Sequence, residues 1–247
     1  MIDKFRDDVL AVVDAVPSGA SIAVGGFGSS GRPDALLDAL CALDRRDLHV
    51  FVNNVGHDFT GVGRLLHEGR LRRVTCSFPT LQEFYDEYFA GRVELELIPQ
   101  GTLAERLRAG GAGIPAFFTA TGYGTIVADG KETREIDGRH YVLETALKAD
   151  VSLVKAWKAD KAGNLVFRKT ARNFNPLAGM SGRRTFAEVQ HLVEVDELHP
   201  DDIHLPGVFV DDVVLAAGEP ETTQAEQVDE DIARQTIALQ TTEAGAR

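Results

Sequence analysis

The sequence predicts an α/β fold: a mostly parallel sheet flanked by helices, with an added antiparallel hairpin region. Three observations predict it. Short apolar strands alternate with amphipathic helices through the first 100 residues, the pattern of a parallel sheet. A glycine-rich stretch, "VGGFGSSGRP", joins the first of these strands to a helix. The middle of the chain carries Asp-Gly pairs between runs of strand-forming residues, which is a hairpin signal.

The elements follow in order. Residues 4–16 read as an opening amphipathic helix. "ASIAVGG" (20–26) is a short buried strand bounded by glycine, and Pro33 starts a helix with Leu36, Leu37, Leu40 and Leu43 on one face. "LHVFVNN" (48–54) is the next strand, "VGRLLHEG" a turn or two of helix, "RRVTCSF" a strand, and "LQEFYDEYFAG" a helix closed by Gly91. "VELELIP" (93–99) alternates apolar and acidic residues, so one face is expected to be wet. In "PQGTLAERL", Thr102 and Glu105 have the spacing of a capping box, and Arg106 and Arg108 fall near the helix's negative end. "TIVADG" and "KETREIDGRHYVLE" read as hairpin strands turning at Asp129–Gly130 and Asp137–Gly138. "VSLVKAWKADKAGNLVFRK" reads as strand, turn and strand. One domain is expected over residues 1–217, followed by a polar, acidic C-terminal tail over 218–247 that has little to bury.

Composition excludes several classes. The 247 residues carry a net charge of −12, which disfavours nucleic acid as a partner. No apolar run is long enough to span a bilayer, and the acidic amphipathic start is neither signal nor transit peptide. Cys41 and Cys76 stand 35 positions apart with no C-x-x-C, which points to a reducing cytoplasm and to no structural metal. The seven histidines show no ligand spacing. His57 beside Asp58 is a weak signal, and Cys76 reads as core rather than nucleophile.

Gly26, Gly28 and Gly31 spell G-x-G-x-x-G, the dinucleotide fingerprint. That fingerprint also needs an acid at the end of the second strand to hold the ribose hydroxyls. Asn53 and Asn54 stand there instead, and no acid follows before Asp58. The Walker pattern fails for want of G-K-[ST]. Two readings of the loop remain. The glycines make a tight turn, or they let another molecule approach the backbone, with an anion favoured above the helix N-terminus.

"SGASIAVGGFGSSGRPDALL" resembles the first signature of the A subunits of family I coenzyme A transferases: an apolar strand, then G-G-F, then G-x-P. Ser18 stands where that family usually has Asp or Asn. "VNNVG", "PQGTLAERLRAGGAGIPAFFTATGYGT", "GKETREIDGRHYVLE" and "VKAWKADKAGNLVFRKTARNFN" are similar to the A half of 3-oxoacid and 3-oxoadipate CoA-transferases, in order, over about residues 3 to 215. The resemblance implies the CoA-transferase fold and movement of CoA from succinyl-CoA to a 3-oxo acid such as acetoacetate, or to 3-oxoadipate. It implies no permanently bound cofactor, the CoA thioester being a substrate. The family's chemistry is ping-pong through a glutamyl-CoA thioester, and its nucleophilic glutamate lies in a motif of the B half that this sequence lacks. So the chain is expected to pair with a B subunit carrying that glutamate, as an A2B2 heterotetramer in the cytoplasm.

For individual residues, the resemblance implies that Asn53 donates to the developing oxyanion. The alternative is that the Asn pair only caps loop backbone. Gln100, between a strand end and a helix, is placed to contact a carboxylate or thioester. Gly25, Gly26, Phe27, Gly28, Ser29, Ser30 and Gly31 are the expected coenzyme contacts. Lys155, Arg168, Lys169 and Arg172 form a basic cluster that either faces solvent or meets anionic substrate. Two other classes stay open: a lone α/β hydrolase or isomerase, and an NAD-binding oxidoreductase, which the Asn pair argues against.

Overall fold

A computed structural model describes residues 3–56 and 58–216; His57 and the tail expected over 218–247 lie outside the described residues. The opening segment is not one helix. Phe5–Arg6 forms a two-residue strand (β1), and the helix is only Val9–Val13 (α1). Two anchors explain the correction. Lys4 donates through Nζ to the carbonyls of Gly207 and Val210, holding the chain extended, and the Asp8 carboxylate accepts from Ala11 N as an N-cap.

The expected alternation follows: β2 (Ser21–Val24), α2 (Asp34–Ala42), β3 (Leu48–Val52), α3 (Gly61–His67), β4 (Leu71–Cys76), α4 (Gln82–Phe89), β5 (Glu94–Leu97) and α5 (Gln100–Gly111). α5 starts without a capping box. Pro99 stands at the N-cap position, Thr102 is buried inside the first turn, and Glu105 pairs with Arg108 at 2.8 Å. The acidic face of β5 is wet only at Glu94. Arg106, also buried, reaches Glu96 at 2.7 Å and Thr145 O at 2.6 Å, so α5 covers that face at Glu96, while Glu94 at the strand's start and Leu97 at its end are exposed.

β6 (Ala116–Thr119), β7 (Thr133–Ile136) and β8 (Arg139–Thr145) make a separate antiparallel sheet in the order β6-β8-β7. Asp137 and Gly138, at φ of 52° and 75°, form the expected tight turn between β7 and β8. "TIVADG" is not a strand: Ile126–Ala128 is a single 3-10 turn, capped by the Thr125 side chain. The chain continues through β9 (Ala149–Asp160), β10 (Leu165–Val166), α6 (Asn175–Ser181), β11 (Gly182–Val193) and β12 (Asp212–Leu215). Local sequence pattern assigns nothing to α6, β11 or β12.

The main sheet runs β1-β12-β11-β9-β2-β3-β4-β5, with every pair along it parallel; β10 adds antiparallel to β9. Its strands are buried on both faces. Ile22, Val50, Leu153 and Phe186 pack on one side with Val12, Leu37, Leu65 and Phe84 of α1 to α4. Their neighbours Ala23, Phe51, Val154 and Ala187 pack on the other side with Leu103 and Leu107 of α5 and Ala178 of α6. Alternate residues serving two cores is the signature of a doubly covered parallel sheet. From β2 the order proceeds one way to β5, and from β9 the other way to β12. The β2/β9 boundary is therefore a topological switch point, where such sheets open a crevice beyond the strands' carboxyl ends.

Candidate active site

The loop after β2 lies at that switch point. Phe27 and Ser30 exchange both backbone hydrogen bonds at 3.0 Å, so Gly28 and Ser29 form the tip of a miniature hairpin. The loop is strapped to the segment before α6. Asn173 Nδ2 donates to Ser30 O at 3.0 Å, the Ser30 and Thr170 hydroxyls are 3.1 Å apart, and Asn175 Nδ2 donates to Gly31 O at 2.9 Å. Asn175, fully buried, also accepts from Lys155 N of β9 at 2.9 Å. Two of the glycines exist for Asn175. A Cβ on Gly25 would sit 1.9 Å from its Oδ1, and one on Gly31 would sit 2.7 Å from its Nδ2. Gly28, at φ +60°, has nothing within 4 Å of a Cβ, so its bare backbone faces open space.

The anion expected at the α2 N-terminus is part of the protein. Glu188 of β11 accepts from Leu36 N at 3.0 Å and lies 3.5 Å from Lys155 Nζ. Burial pushes its carboxyl up to about 7, against the pull of Lys155 and the backbone N–H groups. A coenzyme phosphate would find that helix end already occupied.

Between the loops after β2 and β3 is a narrow cleft lined by Val24, Gly25, Gly26, Gly28, Arg32, Val52, Asn54, Val55, Gly56 and Val62. Its enclosed space, about 10 Å³, is room for roughly one water-sized group. Among the described residues, the lining contains hydrogen-bonding groups and one cation but no Ser, Cys, Asp or Glu. Asn54 faces this cleft. Asn53 lies beside it and is buried; its Oδ1 accepts from Asn54 Nδ2 at 3.3 Å, and its carbonyl accepts from Ser77 and Phe78 N. The Asn53 Nδ2 is buried with no hydrogen-bond partner among the described residues. Such an orphan donor costs about 1–3 kcal/mol and calls for an explanation; a charge that appears only during reaction is one. A roomier hollow of about 350 Å³, lined by Arg6, Arg184 and Asp212, lies beside α1 and shares no residue with the cleft.

The other expected site residues are not gathered here. Gln100 is exposed at the first position of α5, beyond β5, two strands from β3 on the same sheet edge. Phe27 and Ser29 are exposed on the loop. Lys169 and Arg172 lie on the 3-10 turn that carries Thr170, next to the loop, whereas Lys155 faces Glu188 and Arg168 lies over Trp157. Cys76 is core, with burial pushing its thiol up to about 12. His49 is half-buried, its ring 2.9 Å from the Thr75 hydroxyl, and burial lowers it to about 4. Sequence reasoning missed Arg32, Asn175 and Glu188. Arg32 was detectable as the one cation of the glycine loop. Asn175 and Glu188 give no local signal, because the partners that tie them to the glycine loop and to α2 are more than 140 positions away.

The coenzyme A transferase family model matches residues 9–216. The chain belongs to the coenzyme A transferase family. It is 58% identical to the A subunit of the succinyl-CoA:3-ketoacid coenzyme A transferase of Xanthomonas campestris pv. campestris, over 87% of this chain and 89% of that one. It is 50% identical to the A subunit of the 3-oxoadipate CoA-transferase of Pseudomonas putida, over 88% and 96%. The fold is that of the acyl-CoA transferase of Escherichia coli O157:H7, solved as a thioester complex with CoA: TM-score 0.77 at 22% identity, covering 88% of this chain. This transferase chain spans about half of that one, 48%. Among the described residues, no helix is long and apolar enough to cross a membrane, and no three His, Cys, Asp or Glu side chains gather as metal ligands.

Proposed function

We propose that the chain is the A subunit of a 3-oxoacid CoA-transferase that moves CoA from succinyl-CoA to a 3-oxo acid such as acetoacetate. One observation carries the reading: among the described residues, the switch-point cleft presents backbone, amide and guanidinium groups but no nucleophile in its lining. It can bind and stabilise charge, so the attacking group must come from outside. In this reading the B subunit supplies a glutamate, which attacks the thioester carbonyl and expels CoA thiolate, leaving a mixed anhydride. The thiolate then attacks the glutamyl carbonyl, releases succinate and leaves glutamyl-CoA. The same two steps in reverse load the 3-oxo acid. Asn53 donates to the oxyanion formed at each addition, Gln100 contacts the carboxylate or thioester, and the 25–31 loop borders the coenzyme, with Gly28 the point of closest approach. An A2B2 assembly in the cytoplasm is part of the same proposal. The 50% identity to a 3-oxoadipate CoA-transferase chain supports 3-oxoadipate as the alternative acceptor.

The test is reconstitution. The purified chain alone is expected to show no transfer between succinyl-CoA and acetoacetate, and transfer is expected to appear when the B-type subunit encoded beside it is added. Turnover by a partner-free sample overturns the two-subunit reading.

A further inference from the structure

Among the described residues, Arg32 is the single charged one lining the cleft, which it shares with Asn54 and the bare backbone of Gly28. Its side chain spans the two loops. Nε donates to Asp34 Oδ1 at 2.5 Å, and Nη1 is 3.9 Å from Asp58 Oδ1, beyond hydrogen-bond reach. Of its five N–H donors, only the one on Nε has a hydrogen-bond partner among the described residues. Gly61 makes room beneath it: a Cβ there would lie 3.7 Å from Arg32 Cδ and 3.0 Å from Leu37 Cδ1. The two aspartates are 41% and 59% exposed against 21% for Arg32, so water screens their charge more than it screens the guanidinium.

We infer that Arg32 selects acyl groups carrying a second carboxylate, the one distal to the thioester. The inference rests on the transferase reading above and extends it to substrate choice. A guanidinium fork with unused donors matches a carboxylate in two-point geometry. The narrow cleft has room for about one water-sized group, the size of a single carboxylate oxygen, and its apolar walls, Val24, Val52, Val55 and Val62, strengthen the pairing. A 3-oxo monocarboxylate such as acetoacetate spends its only carboxylate in the thioester and has nothing to offer Arg32. A distal carboxylate can come from the succinyl donor or from a dicarboxylic acceptor such as 3-oxoadipate.

In ping-pong kinetics the kcat/KM of each substrate reports its own half-reaction, so the two sources separate. The experiment uses the assembled enzyme as wild type, Arg32→Met and Arg32→Lys, with succinyl-CoA, acetoacetate and 3-oxoadipate each varied. Met preserves the packing of the apolar stem, and the melting temperature of each assembly checks the fold. Arg32→Met is expected to lower the ratio of kcat/KM for succinyl-CoA, for 3-oxoadipate, or for both, to that for acetoacetate by about 10- to 100-fold. Whichever ratio falls names the source. Arg32→Lys, which keeps the charge, is expected to restore most of the preference. Ratios left unchanged, whether all rates fall together or none does, overturn the inference, and so does a lysine variant no better than methionine. A wild-type assembly that transfers CoA to neither acid from succinyl-CoA fails differently: it overturns the transferase reading itself.

Discussion

An added methyl group at Gly25 would lie 1.9 Å from Asn175 Oδ1, whereas one at Gly28 would meet nothing within 4 Å. The two glycines therefore respond to substitution in opposite ways. Gly25→Ala is expected to lower stability by at least about 2 kcal/mol in denaturant unfolding, because a buried asparagine must move. Gly28→Val is expected to stay folded, at a cost of about 1 kcal/mol for its positive φ, and to raise the KM for acyl-CoA in the assembled enzyme. A Gly28→Val enzyme with an unaltered KM reduces the loop to a turn. The Asn pair divides similarly. Among the described residues, the buried Asn53 Nδ2 has no partner, and Asn54 supplies the orienting hydrogen bond to Asn53 Oδ1. Asn53→Ala is expected to lower kcat by about 10²-fold or more with acyl-CoA binding nearly intact, the usual loss for one oxyanion donor. Asn54→Ala should cost less, since it removes an orienting contact. If steady-state kinetics show the reverse, the cleft-facing amide is the donor.

At the scale of elements, strands with many buried apolar residues and helices with one apolar face are legible from local pattern, as β2 through α4 are. The failures share a cause: a distant partner overrides a local rule. Thr102 and Glu105 have capping-box spacing, yet the helix begins at Gln100 and Thr102 turns inward. Arg106 has the position of a helix-end cation and instead bridges Glu96, Thr145 and, at 3.7 Å, Glu144. α6, with "NPLAGMS", has little helical propensity of its own, and its first residue is fixed by contacts to β9 and to the glycine loop. That makes Asn175 the joint between elements. Asn175→Ala would leave Lys155 N and the carbonyls of Gly31 and Ala171 without this partner, and about 2 kcal/mol or more of stability should go with it. Amide exchange over residues 25–31 should quicken in the same variant. Unchanged protection there means that other straps hold the loop.

For the whole molecule, the glycine fingerprint and the Asn pair point to the candidate site's edge of the sheet, but the reason for that edge is topological. The order reverses between β2 and β9, whose pairing joins residues almost 130 positions apart, and no local pattern carries such a register. The reversal also brings β11 beneath α2, which is how Glu188 comes to supply the helix's anion. A carboxyl raised to about 7 by burial, against an ordinary value of 4.5, has a definite consequence for pH. Between these values the folded chain binds a proton that the unfolded chain has lost, so stability from this group is fully present below about 4.5 and is lost as pH rises through about 7. His49, lowered to about 4, works in the opposite sense: its contribution is present above its ordinary 6.5 and lost as pH falls toward 4. The two nearly offset in the intact protein, so a simple pH profile hides both. Glu188→Gln separates them, because His49 titrates in both proteins and cancels in the difference. The stability of wild type minus that of Glu188→Gln is expected to be greatest below about pH 4.5, to fall as pH rises through about 7, by about 1.4 kcal/mol for each pH unit of separation between the folded and unfolded values, and to level off above it. A difference that stays flat across that range would mean that Lys155, at 3.5 Å, keeps the carboxylate charged throughout, and that the helix is held by a permanent anion.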